Sequence, residues 1–194
     1  LNGHIVGTRT YSEERGYYFK PYPEGIQKLV DQVKRWIALQ QKHRSEVKIA
    51  LFLHNYPPKN SHIGNACGLD TPESVLRLLQ ELQQNGYTVE GIPQTSEDLM
   101  TILTKHATND VDCLTDSAVE KAPKLPKEVY RTWFSKLDSA TQESLLQHWG
   151  QPIGEIFVEE DELIIPGVDF GNVWVLVQPP RGFSDNPDAL YHSP

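Results

Sequence analysis

The feature that most restricts what this chain can fold into is a short, almost unbroken apolar run at residues 47–53 (VKIALFL). It follows a charged stretch and precedes a long loop. A strand with one wet face alternates apolar and polar residues, whereas one that stays apolar is buried on both faces, as in the middle of a parallel sheet. The loop, residues 54–71, ends at Thr71, Pro72 and Glu73, which read as an N-cap, a first helical position and a first-turn acid. Val75, Leu76, Leu78, Leu79 and Leu82 then mark one apolar helical face, and Asn85-Gly86 stops it. Residues 87–89 (YTV) read as a second strand. Strand, loop, helix, turn and strand make a βαβ unit. The expected fold class is therefore α/β: a mainly parallel sheet with helices on both faces and a small helical and hairpin insertion at about residues 107–165.

The rest of the chain fits around that unit. Residues 1–23, rich in tyrosine and proline, read as an extended lead-in, and residues 24–194 as the α/β domain. Ile26, Leu29, Val30, Val33 and Ile37 share one face of a helix over 24–41, closed by Lys42-His43-Arg44 at its negative end. Further helices are expected from Ser96 to about His106, from Lys127 to Leu137, and from a Ser139 cap to Trp149-Gly150. Residues 153–159 and 162–165 read as a hairpin around an acidic turn, with a solvated tip. Residues 173–178 (VWVLVQ) read as a further buried strand. Leu1 is not a methionine and the last residues, Tyr191 to Pro194, carry no capping pattern, so the expectation is an internal piece of a longer polypeptide.

Composition narrows the function classes. A formal net charge of −8 over 194 residues argues against nucleic acid and anionic membrane surfaces as partners. No apolar run approaches the ~20 residues of a membrane span, and the first residues do not read as a signal peptide. The two cysteines, Cys67 and Cys113, lack metal-knuckle spacing and read as buried free thiols, in keeping with a reducing, cytoplasmic setting.

Two segments carry chemistry. The first runs from His54-Asn55-Tyr56-Pro57-Pro58 through Ile63-Gly64-Asn65-Ala66 to Gly68-Leu69-Asp70-Thr71-Pro72. It leaves the C-terminal end of a strand and enters a helix, which is where open α/β sheets bind ligands. His54 and His62 can serve as bases, donors or metal ligands; the plainer local reading is a long capping loop. The spacing is neither a Walker loop nor a dinucleotide fingerprint. The second segment is Ile165-Pro166-Gly167 through Phe170-Gly171-Asn172-Val173 to Gln178-Pro179-Pro180-Arg181-Gly182. Arg181 suits a bidentate carboxylate contact or a structural ion pair, Gln178 offers an amide, and Asp169 and Asn172 read as turn residues.

Together these two ordered segments, with the closing Tyr191-His192-Ser193-Pro194, resemble the large-subunit family of cobaltochelatase and magnesium chelatase. The Gly68-Leu69-Asp70-Thr71-Pro72 run resembles the cobalt branch more. The resemblance implies a large subunit that binds a tetrapyrrole and the metal to be inserted. These are cobalt(II) and hydrogenobyrinic acid diamide in cobalamin biosynthesis, or magnesium and protoporphyrin in the other branch. The reaction is that of a ligase forming nitrogen–metal bonds. ATP is bound by separate AAA+ subunits, which act with an integrin-type subunit and the rest of the polypeptide, so the isolated piece is expected to be inactive. Carried onto this chain, the resemblance puts His54, Asn55, Tyr56, Gly64, Asn65, Asp70, Gln178, Arg181 and Gly182 along the substrate and His192 near the metal path. A non-catalytic α/β interaction domain of a large assembly is the alternative from another class.

Overall fold

A computed structural model describes residues 5–106, 108–154 and 157–179. The chain divides into two compact units, Leu1–Val47 and Lys48–Pro194. In chain order the elements are β1 (Gly7–Ser12), β2 (Gly16–Pro21), α1 (Pro23–Gln41), β3 (Ile49–Leu53), α2 (Thr71–Gln84), α3 (Ser96–Lys105), α4 (Asp116–Lys121), β4 (Lys124–Pro126), α5 (Lys127–Phe134), α6 (Ser139–Trp149), β5 (Val158–Glu159), β6 (Glu162–Ile164), β7 (Gly167–Asp169) and β8 (Val173–Val177).

In the first unit the expected lead-in is instead an antiparallel hairpin. β1 and β2 pair from Gly7 opposite Pro21 to Ser12 opposite Gly16. The tyrosines that suggested an irregular segment are cross-strand partners: the rings of Tyr11 and Tyr17 lie 5.2 Å apart, and the Arg9 guanidinium sits 4.2 Å from the centre of the Tyr17 ring. Such pairs hold a short hairpin in register. α1 follows, with proline in its first turn and the Tyr22 hydroxyl donating to Glu24.

The second unit is built on a three-stranded sheet in the order β3, β8, β7. β3 and β8 are parallel, Ile49 opposite Val173 through Leu53 opposite Val177, and β7 is antiparallel to β8. Among the described residues the sheet thus has one parallel and one antiparallel pairing, so the expected α/β class holds and the parallel character holds in part. Residues 87–89 do not form the second strand of a βαβ unit; Val89 makes a single antiparallel bridge to Gly171. The chain crosses the β7–β8 turn there, with Asn172 N–H donating to Thr88 O and Glu90 N–H to Phe170 O.

α2 and α3 cover one face of this sheet. Leu76, Leu79, Leu99 and Leu103 meet Leu53, Val173, Val175 and Val177 in the main core. The caps differ by one residue from expectation. Asp70, not Thr71, caps α2 by accepting from Glu73 N–H at 3.0 Å, and Asp138, not Ser139, caps α6. A carboxylate adds charge to the hydrogen bond at a positive helix end, so it outcompetes the neighbouring hydroxyl. Gly167 passes so close to β8 that an added Cβ would lie 2.5 Å from Val175 O.

A second small sheet, β4-β6-β5, packs Ile164 against Val119 and Ala122 of the α4 region. The expected hairpin is β5 and β6, turning through Glu160 and Asp161, both at positive φ. Its acidic tip is not simply solvated: Lys124 pairs with Glu159 at 2.8 Å and Lys127 with Asp161. Among the described residues no helix is long and apolar enough to cross a membrane.

Candidate functional site at two parallel strand ends

Because β3 and β8 are parallel neighbours, both of the segments singled out in the sequence leave the sheet at one end. His54 follows β3 and Gln178 follows β8. The backbones stay paired one residue further, with Gln178 N–H donating to Leu53 O at 2.9 Å. The side chains meet there, His54 Nδ1 lying 2.9 Å from Gln178 Oε1. A carbonyl oxygen only accepts, so Nδ1 is the donor of this bond and Nε2 takes no part in it. The pair is exposed, and it presents an imidazole, a group that can move protons or ligate a divalent cation.

Beneath it lies a buried polar latch. Asn55, 1% exposed, donates its amide to the side-chain oxygen of Asn109, which is equally buried. Asn109 Nδ2 in turn donates to Asn55 O at 3.2 Å and to Gln178 O at 2.7 Å. One side chain therefore ties together the ends of both strands. Asn55 Oδ1 is buried without a hydrogen-bond partner among the described residues. Residues beside Asn109 fasten the rest of the loop. Thr108 donates to Asn60 Oδ1 at 2.6 Å, Asp110 accepts from Asn60 N–H at 3.0 Å, and Lys59 reaches Asp112 at 2.7 Å and Asp110 at 3.5 Å. The hydrogen bond to Asp112, helped by the charge of Asp110, raises the Lys59 pKa; the same bond holds the Asp112 carboxyl below its ordinary range. Although Cys113 is exposed as a residue, desolvation of its thiol, and then the Asp110 carboxylate that accepts from it, push its pKa up.

The remaining expected residues lie along the same loop. Tyr56 is half-buried. Gly64 is buried at φ +74°, donates to His54 O at 2.7 Å, and has no room for a Cβ beside Thr71. Asn65 is exposed, and Asp70 fills the start of α2, so an anion approaching that helix end meets a carboxylate. His62 is turned back on its own loop, Nδ1 lying 3.1 Å from Pro57 O. Arg181, Gly182 and His192 lie outside the described residues. Among the described residues no three His, Cys, Asp or Glu side chains converge as a metal site. Cys67 and Cys113 are free, as expected, but exposed rather than buried. Thr108, Asn109 and Asp110 had no signal in the sequence: a polar run without periodicity reads as loop, and only the tertiary fold buries it.

The family model for CobN/Magnesium Chelatase matches residues 2–194. An uncharacterized protein of Methanocaldococcus jannaschii is 43% identical over 177 residues, covering 91% of this chain and 14% of its own length. The aerobic cobaltochelatase subunit CobN of Pseudomonas aeruginosa is 34% identical over 161 residues, covering 83% of this chain and 13% of its own. Among solved structures, the catalytic subunit of cobaltochelatase from Mycobacterium tuberculosis superposes with a TM-score of 0.72 at 31% identity, over 98% of this chain and 16% of that one. The chain belongs to the CobN/magnesium chelatase family. It spans about one seventh of the length of the relatives it matches.

Proposed function

We propose that this chain is part of the large subunit of an ATP-dependent metal chelatase, and that its strand-end site lines the tetrapyrrole cleft. The observation that carries this is the likeness to the solved cobaltochelatase catalytic subunit, at 31% identity over 98% of the chain. Inserting a metal into a tetrapyrrole requires a divalent ion to shed water and ring N–H protons to leave. The His54 imidazole, held by Gln178, suits either task. The substrates favoured are cobalt(II) and hydrogenobyrinic acid diamide, since a relative at 34% identity is named a cobaltochelatase subunit. ATP hydrolysis falls to AAA+ subunits, acting with an integrin-type subunit in the cytoplasm. Arg181, Gly182 and His192 remain candidates for the substrate and metal sides of the same cleft. Within the large subunit, Lys48–Pro194 is read as one α/β unit with the 107–165 segment as an insertion.

The test is metal insertion by the full-length parent with its AAA+ partners, ATP, cobalt(II) and hydrogenobyrinic acid diamide, followed by corrinoid absorbance. ATP-dependent insertion, lost in His54→Ala with the fold retained, is expected. Insertion unchanged in His54→Ala, Arg181→Ala and His192→Ala would reduce this piece to scaffold. Because the family model spans both branches, the same assay is run with magnesium and protoporphyrin; activity there alone would move the protein to the magnesium branch. Failure with both pairs would favour a non-catalytic interaction domain.

A further inference from the structure

Among the described residues of the second unit, the main sheet is closed on one side and open on the other. Its β7 edge is blunted: three residues long, with exposed Asp169, and followed at once by the Val89–Gly171 bridge. Short, charged edges discourage further pairing. The β3 edge has none of these devices. Ile49, Ala50, Leu51, Phe52 and Leu53 are all apolar, and β8 is their sole strand neighbour among the described residues.

Backbone geometry fixes which groups face outward. Ile49 N–H donates to Asn172 O, and Leu53 O accepts from Gln178 N–H, so these residues turn towards β8. In a parallel ladder the alternate residues point the other way. Ala50 and Phe52 therefore present their N–H and C=O groups along the free edge. Their side chains share the face opposite α2 and α3, where Ala50 is exposed and Phe52 is 64% exposed. An apolar strand with one open edge and an open phenylalanine face is a template for strand addition.

We propose that the β3 edge receives a further strand, parallel to β3, from the part of the same parent polypeptide outside residues 1–194. The sequence pattern of β3 is that of a strand buried on both faces, which this addition and its crossover segment would make it. The family relatives supply the length for it, since this chain spans 16% of the matched cobaltochelatase chain. A tethered strand also outcompetes a separate protein through its effective concentration. The inference is independent of the metal and ring.

The test uses the full-length parent with p-benzoylphenylalanine in place of Phe52, irradiated and mapped by mass spectrometry. The expected product is a cross-link within one polypeptide, from position 52 to a single peptide outside residues 1–194. A cross-link to a second copy, to a separately encoded subunit or within residues 1–194 overturns the proposal, as does no cross-link at all. A second measurement needs no substitution. In the unmodified parent, hydrogen exchange at the Ala50 and Phe52 amides should be slowed to within about tenfold of Leu51, which β8 protects; a larger gap means an open edge and refutes the proposal.

Discussion

Replacing Asn109 by alanine removes, in one step, the three hydrogen bonds that tie the strand ends: one accepted from the Asn55 amide and two donated to Asn55 O and Gln178 O. At about 1 kcal/mol net for each, the loss is about 3 kcal/mol, and more if the stranded carbonyls stay dry. With a urea slope of about 2 kcal/mol/M, the unfolding midpoint falls by about 1.5 M. Trp174 is suited to report it by fluorescence, because it lies half-buried in β8 while Trp36, Trp133 and Trp149 are exposed. Asn109→Asp sharpens the test. It is nearly isosteric and keeps the acceptor for Asn55, but turns a donor into an oxygen facing two carbonyl oxygens. The introduced carboxyl is then favoured in its protonated form in the folded state, which raises its pKa. A raised acid stabilises below its unfolded pKa of about 4, and that stability is lost as pH rises through the folded value. The variant should thus approach wild type near pH 4 and be the less stable of the two variants at pH 7. A midpoint shift below about 0.3 M for alanine, or an aspartate variant more stable than alanine at pH 7, would refute the latch.

Four further outcomes follow from packing and charge. Leu79→Ala, at a fully buried α2 position, should cost about 2–5 kcal/mol by the same denaturation assay. Asp70→Ala should cost about 1 kcal/mol through loss of the bond to Glu73 N–H, and Thr71→Ala should not match it, since Thr71 is not the cap. Gly64→Ala should destabilise more than Gly68→Ala. Both glycines sit at positive φ, but a Cβ at Gly64 meets Thr71 Cγ2 at 2.9 Å while one at Gly68 meets open space. Lys59, chiefly through its hydrogen bond, holds the Asp112 carboxyl low. Its contribution is present above the ordinary carboxylate range and lost as pH falls through and below it. The stability gap between wild type and Asp112→Asn should accordingly close on acidification from pH 7, and shrink in high salt.

Local patterns were readable from the residues alone. The 3.6 period of Val75, Leu76 and Leu79 placed α2, and the apolar runs at 47–53 and 173–178 placed β3 and β8. What could not be read was pairing. Periodicity says that a strand is buried, not by which neighbour, so residues 87–89 were expected as the second strand of a βαβ unit, whereas the parallel partner of β3 is β8. Alternation in β1 and β2 was hidden because the tyrosines fall on both faces of a hairpin whose partners are each other. At the site, His54 and Gln178 were each identified from strand-end logic, but Asn109 was not. Its role depends on two carbonyls that are distant in sequence and become neighbours only in the folded sheet.

The parallel pairing of β3 with β8 also sets a timetable. His54 and Gln178 are 124 positions apart. A ribosome releasing this chain exposes β3, α2 and α3 long before β8 exists, so Leu53, Leu79, Leu99 and Leu103 wait without the valines that complete their core. The strand-end pair is accordingly a late event of synthesis. Truncation upstream of Val173 leaves no half-formed version of it. The closure cost rises only logarithmically with the length of the intervening chain, so the stretch between Cys113 and β7, beyond the residues that tie the strand ends, is free to lengthen or shorten over evolution while the two strand ends stay where they are.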